Sequence, residues 1–145
     1  MDAEARARAC ADAMWRDDRA SRALGMRLDA VGPGHARLSL TVTETMVNGH
    51  GMCHGGMIFS LADSAFAFAC NSHNDRAVAA QGSISFLRPG KLGDRLVATA
   101  REISRSGRSG IYDVTVTGGD TVIAEFRGHS RSIGGTWLPT DNENK

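Results

Sequence analysis

The sequence predicts an α+β fold in which one antiparallel sheet wraps around a single buried helix. The first observation behind this is the 16-residue run GGMIFSLADSAFAFAC at 55–70. It is too long and too poor in β-branched residues for a strand, and so uniformly apolar that it must be buried on all sides. The second is a set of period-two segments, two before this run and four after it, with no other convincing helix among the last four. The third is length: 145 residues make one domain, which removes roughly 70% of the unfolded chain's surface from water and needs no disulfides.

The elements follow in order. Residues 3–16 read as an amphipathic helix, with Ala7, Cys10, Ala11 and Met14 on one stripe. A shorter helix from Arg19 ends at Leu24 with Gly25 as its left-handed stop, so the N-terminal helical segment spans about 3–24. Met26, Leu28 and Ala30 then alternate with polar residues up to the turn Gly32-Pro33-Gly34. Ala36, Leu38, Leu40 and Val42 continue on the return strand. A Gly- and His-rich loop, Met46 to Gly56, feeds the buried helix. After it, Val78, Ala80, Gly82, Ile84 and Phe86 are expected on one face of a strand that breaks at Arg88-Pro89-Gly90. Leu96, Ala98 and Ala100 form the next, ending near Ser106-Gly107; Tyr112, Val114 and Val116 run to the turn Gly118-Gly119-Asp120; Val122, Ala124 and Phe126 lead to about Ile133. The tail from Gly134, and above all 138–145, is expected to fray. A sheet of this kind leaves edges and a face in need of cover, so self-association is expected.

Composition narrows the function. Hydrophobic residues are 41%, charged residues 23%, and the formal net charge is +1; this argues against disorder and against non-specific nucleic-acid binding. No apolar run reaches the ~18 residues of a membrane span, and MDAEARARAC is not a secretory leader. Cys10, Cys53 and Cys70 are odd in number and far apart. A disulfide framework is therefore not expected, and a cytoplasmic location fits.

One residue conflicts with its surroundings. Between Met57 and Cys70 the only polar members are Ser60, Asp63 and Ser64. An acid in such a helix is costly to bury unpaired, and burial raises its pKa toward the range of a nucleophile or general base. The competing reading is a structural Asp63, capping a loop or paired with an Arg or Ser. At the start of the same helix Gly55-Gly56 leaves backbone N–H groups open to an approaching oxygen, which with the helix dipole makes an oxyanion or anion site. Gly55 and Asp63 are about 12 Å apart along a helix axis. One helix therefore cannot present both to one carbonyl, whereas two antiparallel helices from two copies can, which predicts a dimer with two shared sites.

The segments Asn48-Gly49-His50-Gly51-Met52-Cys53-His54-Gly55-Gly56, Phe59-Ser60-Leu61-Ala62-Asp63 and Phe86-Leu87-Arg88-Pro89-Gly90 resemble hotdog-fold acyl-CoA thioesterases, in particular the phenylacetic-acid-degradation branch. Ala69-Cys70-Asn71-Ser72, Phe126-Arg127-Gly128 and Ile133-Gly134-Gly135 add to the likeness, which covers roughly residues 12–135. The resemblance implies a hotdog fold, assembly into homodimers and usually homotetramers, and hydrolysis of CoA thioesters with no metal or organic cofactor. By position it implies Asp63 as the catalytic carboxylate and the partner subunit's Gly55 as the oxyanion donor. His54 and Asn48 would line the site, Asn48 holding water or the substrate carbonyl. Ala67 departs from some aryl-CoA relatives, which carry a hydroxyl there.

CoA phosphates call for cations. Arg88, Lys91, Arg95, Arg101, Arg105 and Arg108, against Asp94 and Glu102, give a local charge of +4. Each alone also reads as an ordinary solvated strand or turn residue. The expected substrate-binding set is Gly56, Phe59, Phe66, Arg88, Pro89, Lys91, Arg105 and Arg108, with Phe59 and Phe66 flanking Asp63 on one helix face as an aryl pocket or as plain core. His50, Cys53 and His54 lack zinc-site spacing, and adjacent Cys53 and His54 make a poor nucleophile–base pair. The favoured function is hydrolysis of phenylacetyl- or hydroxyphenylacetyl-type CoA thioesters in phenylacetate catabolism. The alternatives are a short- or medium-chain acyl-CoA thioesterase, a hydroxyacyl-CoA dehydratase and a non-catalytic acyl-CoA-binding regulator.

Overall fold

A computed structural model describes residues 1–140. Two N-terminal helices, α1 (Ala3–Asp17) and α2 (Arg19–Ala23), precede strands β1 (Arg27–Gly32) and β2 (His35–Thr41). A 3-10 turn at Glu44–Met46 leads to α3 (Gly55–Cys70), followed by β3 (Ala77–Phe86), β4 (Arg95–Ser106), β5 (Ser109–Gly118) and β6 (Thr121–Ser132). The six strands form one antiparallel sheet in the order β1-β2-β4-β5-β6-β3. Each helix begins where its cap dictates. Asp2 Oδ1 accepts the Ala5 N–H at 2.7 Å, Asp18 Oδ1 accepts the Ser21 N–H at 2.9 Å, and Gly25 turns the chain at φ +74° after α2.

The helix lies in the curve of the sheet because both surfaces are small enough to meet. Leu61, Ala62, Ala65, Phe66 and Ala69 are buried against Leu38, Leu96, Ala98, Ala100, Val114, Val116 and Phe126. The approach is tight at Gly128 of β6, where a Cβ would stand 2.8 Å from the Phe66 ring. Phe66 packs there against Tyr112 and Phe126, at centroid distances of 5.6 and 5.8 Å. From the N-terminal side, Trp15 of α1 packs on Phe68 at 6.0 Å. Ser64 donates to Ser21 Oγ at 2.7 Å, and Ser21 in turn donates to Asp18 Oδ2, which fixes α2 to α3.

Three expectations need correction. A bulge between Leu28 and Ala30 moves Ala30 opposite Arg37 and brings Val31, not Ala30, into register with buried Ala36. A second bulge between Ala79 and Gln81 breaks the alternation assumed for β3: Gly82, Ile84 and Phe86 pair with Gly128, Phe126 and Ala124, while Val78 pairs with Arg131 on the other face. Because β3 is a sheet edge, Val78 and Phe86 also remain exposed in the protomer. The chain beyond Gly134 is held rather than frayed as far as Leu138. Asn74 Oδ1 accepts the N–H groups of Trp137 and Leu138, Asn71 Oδ1 accepts Trp137 Nε1–H, and the Arg76 guanidinium lies 4.0 Å from the Trp137 ring centroid. Residues 141–145 of the expected frayed tail lie outside the described residues.

At the far end of α3, Glu102 Oε1 accepts both His73 Nε2–H and Tyr112 O–H at 2.8 Å. Burial by itself raises the Glu102 pKa; the His73 and Tyr112 hydrogen bonds outweigh it, so the carboxyl ends below its ordinary value. Stability from this group is therefore present above the ordinary Glu pKa and is lost as pH falls through the lower folded value. Between roughly pH 5 and 3, wild-type melting temperature should fall more steeply than that of Glu102→Gln. Parallel slopes in a thermal-shift series would contradict this.

Candidate active site

The loop before α3 shapes itself around Asn48. Its Oδ1 accepts the backbone N–H groups of His50 and Met52 at 2.9 and 3.2 Å, Gly51 closes the turn at φ +79°, and Asn48 N–H donates to Met52 O at 2.8 Å. With Oδ1 so engaged, the amide orientation is set and only the Nδ2 donors are left for a ligand. His54 then caps α3: its Nδ1 accepts Gly56 N–H at 2.8 Å. The N–H of Gly55 makes no hydrogen bond among the described residues. His54 thus consumes one of the two glycine amides and leaves the other free at the positive end of the helix.

That amide borders an open cleft of about 370 Å³ lined by Asn48, Met52, Cys53, Gly55, Ile58, Phe86, Leu87, Arg88 and Pro89. The far wall is pinned to the loop by Cys53 N–H donating to Gly90 O at 2.8 Å, and Arg88 is fixed by Nη1–H donating to Val122 O at 2.9 Å. Of the expected site residues, Asn48, Gly55, Arg88 and Pro89 meet here, with His54 and Gly56 next to Gly55 at the helix start.

Asp63 lies two turns along α3, half-buried, and burial pushes its carboxyl pKa up. It makes no hydrogen bond or ion pair among the described residues, whereas its neighbours are satisfied, Ser60 on Gly56 O and Ser64 on Ser21. The structural reading, in which Asp63 caps or pairs, therefore finds no partner among the described residues. An intact helix between Gly55 and Asp63 keeps the two about 12 Å apart.

Other expected residues do not border the cleft. Phe66 is 1% exposed and belongs to the core. Phe59 packs edge-on against Phe126 at 5.4 Å. Lys91 sits in the β3–β4 turn, its N–H on Asp94 Oδ2. Arg105 and Arg108 line a shallow hollow with Cys70, Asp75 and Tyr112 at the other end of α3, a helix length of about 24 Å away. Arg95 and Arg101 lie near Asp29 and Asp113, at 3.2 and 3.9 Å. Within one protomer the basic residues thus divide between the two ends of the helix. Cys53 is buried, its thiol pushed up in pKa by that burial and directed to His54 O, which disfavours a thiolate nucleophile.

Met52, Ile58, Phe86 and Leu87 line the cleft without having been singled out beforehand as site residues. The available signal was two large apolar residues running straight into Arg88-Pro89, where a strand ends and no core remains to receive them. Among the described residues no three His, Cys, Asp or Glu side chains cluster to hold a metal, and no helix is long and apolar enough to cross a membrane.

A six-stranded antiparallel sheet curled around one long helix is the hotdog architecture, the fold of a class of thioester hydrolases. The thioesterase superfamily model matches residues 50–125, which include Gly55 and Asp63, and the chain belongs to that superfamily. It is 46% identical over 127 residues to the acyl-coenzyme A thioesterase PaaI of Escherichia coli K12, covering 87% of this chain and 91% of that protein. The structure of the E. coli PaaI protein from the phenylacetic acid degradation operon superposes with a TM-score of 0.91 at 44% identity, covering 93% of this chain and 99% of that one. Streptococcus mutans smu.793, solved bound to acetyl CoA, superposes with a TM-score of 0.74 at 29% identity, covering 77% of this chain and 90% of that one.

Proposed function

We propose that the chain hydrolyses aryl-acyl CoA thioesters of the phenylacetyl or hydroxyphenylacetyl type to the free acid and CoA, as a cytoplasmic enzyme of phenylacetate catabolism. The observation that carries the chemistry is the unpartnered Asp63 carboxyl, its pKa raised by burial, on the same helix as the open Gly55 amide but out of its reach. The identity to a PaaI acyl-coenzyme A thioesterase supports the substrate class. The site is completed in a homodimer, itself expected to pair into a tetramer, in which Asp63 of one protomer faces the cleft of the other. The exposed β3 edge, with Val78, Phe86 and Leu87, supplies an apolar border for that pairing.

The reaction needs one nucleophile and one aimed donor, because a thiolate is already a good leaving group. Gly55 N–H, assisted by an Asn48 Nδ2 donor, holds the thioester oxygen. Asp63 either attacks the carbonyl carbon directly or takes a proton from an attacking water. The tetrahedral intermediate collapses with cleavage of the C–S bond, and the CoA thiolate takes up a proton. On the direct route, water then hydrolyses the mixed anhydride, restoring the carboxylate. Either way, one water is consumed and one acid and one thiol are released.

A panel of phenylacetyl-, benzoyl-, short- and medium-chain CoA thioesters, followed by release of free thiol with Asp63→Ala as control, tests the reading. The expected result is turnover that is fastest with the arylacetyl substrates and absent in the variant. Binding without turnover would favour a regulator, and a preference for straight chains would favour a different thioesterase. Arg88, at the cleft mouth, is assigned to a CoA phosphate: Arg88→Ala should raise KM about fivefold and leave kcat nearly unchanged, since an exposed charge-assisted contact contributes about 1 kcal/mol. An unchanged KM would remove that assignment.

A further inference from the structure

Phe86 and Leu87 are 52% and 51% exposed, although both are large and apolar. They are not free to swing with a loop. The Leu87 and Arg88 N–H groups both donate to Ile123 O, at 2.8 and 3.2 Å, and Gly90 O is held by Cys53 N–H. The ring so fixed stands end-on over the first residue of α3: a Cβ built on Gly55 would lie 3.1 Å from Phe86 Cζ and 3.4 Å from Cε1. Phe86 therefore occupies the space that a side chain at 55 would take, beside the one helix-start amide that His54 leaves open.

We infer that Phe86 is a positioning residue for thioester hydrolysis, whose ring walls off the Gly55 amide from bulk water and confines the thioester carbonyl to the remaining open side of the cleft. This rests on the reading of the site as a thioesterase. A donor already bonded to mobile water must be stripped at each turnover, and its attraction to a developing oxyanion is screened. Behind an apolar wall the same N–H is pre-organised and acts through a lower local dielectric. The effect appears when charge develops on oxygen, so it falls on kcat more than on CoA binding. The inference also supplies a reason for glycine at 55 that differs from access to the amide. Alanine there keeps its N–H but pushes the Phe86 ring back by a few tenths of an ångström.

A double-mutant cycle tests this. Phe86→Ala should lower kcat roughly tenfold or more, with KM changed by less than about threefold. Phe86→Met, which keeps a long apolar side chain there without adding an atom beyond Cζ, should lose less kcat than Phe86→Ala. Gly55→Ala should lose a smaller factor, and Gly55→Ala with Phe86→Ala should be no worse than Phe86→Ala alone, because both disturb the same wall. Circular dichroism, calorimetric binding of CoA itself and sedimentation of each variant control for folding and for pairing, and a kcat loss that tracks loss of the dimer would overturn the inference. If Phe86→Ala misfolds, Phe86→Leu should fold and show a smaller loss of kcat. Additive losses, or a Phe86→Ala or Phe86→Leu enzyme with wild-type kcat, would overturn the inference. Wild type and Asp63→Asn run in parallel keep the two failures apart: an active wild type and dead Asp63→Asn with an additive cycle remove only the role of Phe86, whereas an inactive wild type removes the thioesterase reading and this inference with it.

Discussion

Asp63→Asn is expected to lower kcat/KM by roughly 10³-fold or more while leaving the melting temperature at neutral pH unchanged or raised. The two halves come from one cause. Asn is nearly isosteric and cannot act as nucleophile or base, so the chemistry is lost. The wild-type carboxyl, half-buried with no partner among the described residues, carries a pKa raised by desolvation. A carboxyl whose folded pKa is raised favours the folded state when protonated; that contribution is complete below the unfolded pKa and disappears as pH rises through the folded value. At neutral pH the ionised acid therefore costs stability that a neutral amide in its place does not, and the two melting temperatures should converge as pH falls below the ordinary Asp range. The acid limb of the wild-type kcat/KM profile should likewise lie above the pKa of an ordinary Asp. Near-wild-type turnover by Asp63→Asn, or a clear loss of neutral-pH stability, would show that Asp63 is a structural acid.

Phe66→Ala should act on the fold instead. The ring is 1% exposed, packs between Tyr112 and Phe126, and fills the space above Gly128. Removing it leaves a cavity that β6 cannot close, because Gly128 carries no side chain to move inward. The expected loss is about 3–5 kcal/mol, which for a domain of this size is a drop of roughly 10 °C in melting temperature. KM of the folded fraction should be nearly unchanged. A selective loss of arylacetyl substrates at normal stability would instead return Phe66 to the acyl pocket.

The contrast between Asp63 and Phe66 marks how far the linear pattern reaches. A single acid in a greasy helix is a local contradiction, so it stands out without coordinates. Phe59 and Phe66 share a helical face with it, and periodicity alone has no means of saying whether that face meets a ligand or β6. The division is decided by Gly128, 62 positions further along the chain, whose missing side chain admits Phe66 to the core. The basic residues 88–108 show the same limit. They are close in sequence, but Arg88 precedes β4 and Arg105 stands near its far end, and the strand runs the length of α3 and parts them to opposite ends of it. The bulges in β1 and β3 escaped the period-two reading because one extra residue reverses the alternation and leaves no compositional trace.

From the order of residues alone came the helix and strand sequence, the antiparallel sheet around α3, the Gly25 stop after α2, and the acid and the glycine pair proposed to carry the chemistry. These are local properties, governed by periodicity, capping and the cost of burying charge. Tertiary structure alone decided that His54 takes up the Gly56 amide and leaves that of Gly55 open, that Phe86 walls the cleft while Phe66 fills the core, and that the arginines are parted. Each of those depends on contacts between segments tens of residues apart, where the identity of a side chain settles nothing until the backbone has fixed which neighbours it meets.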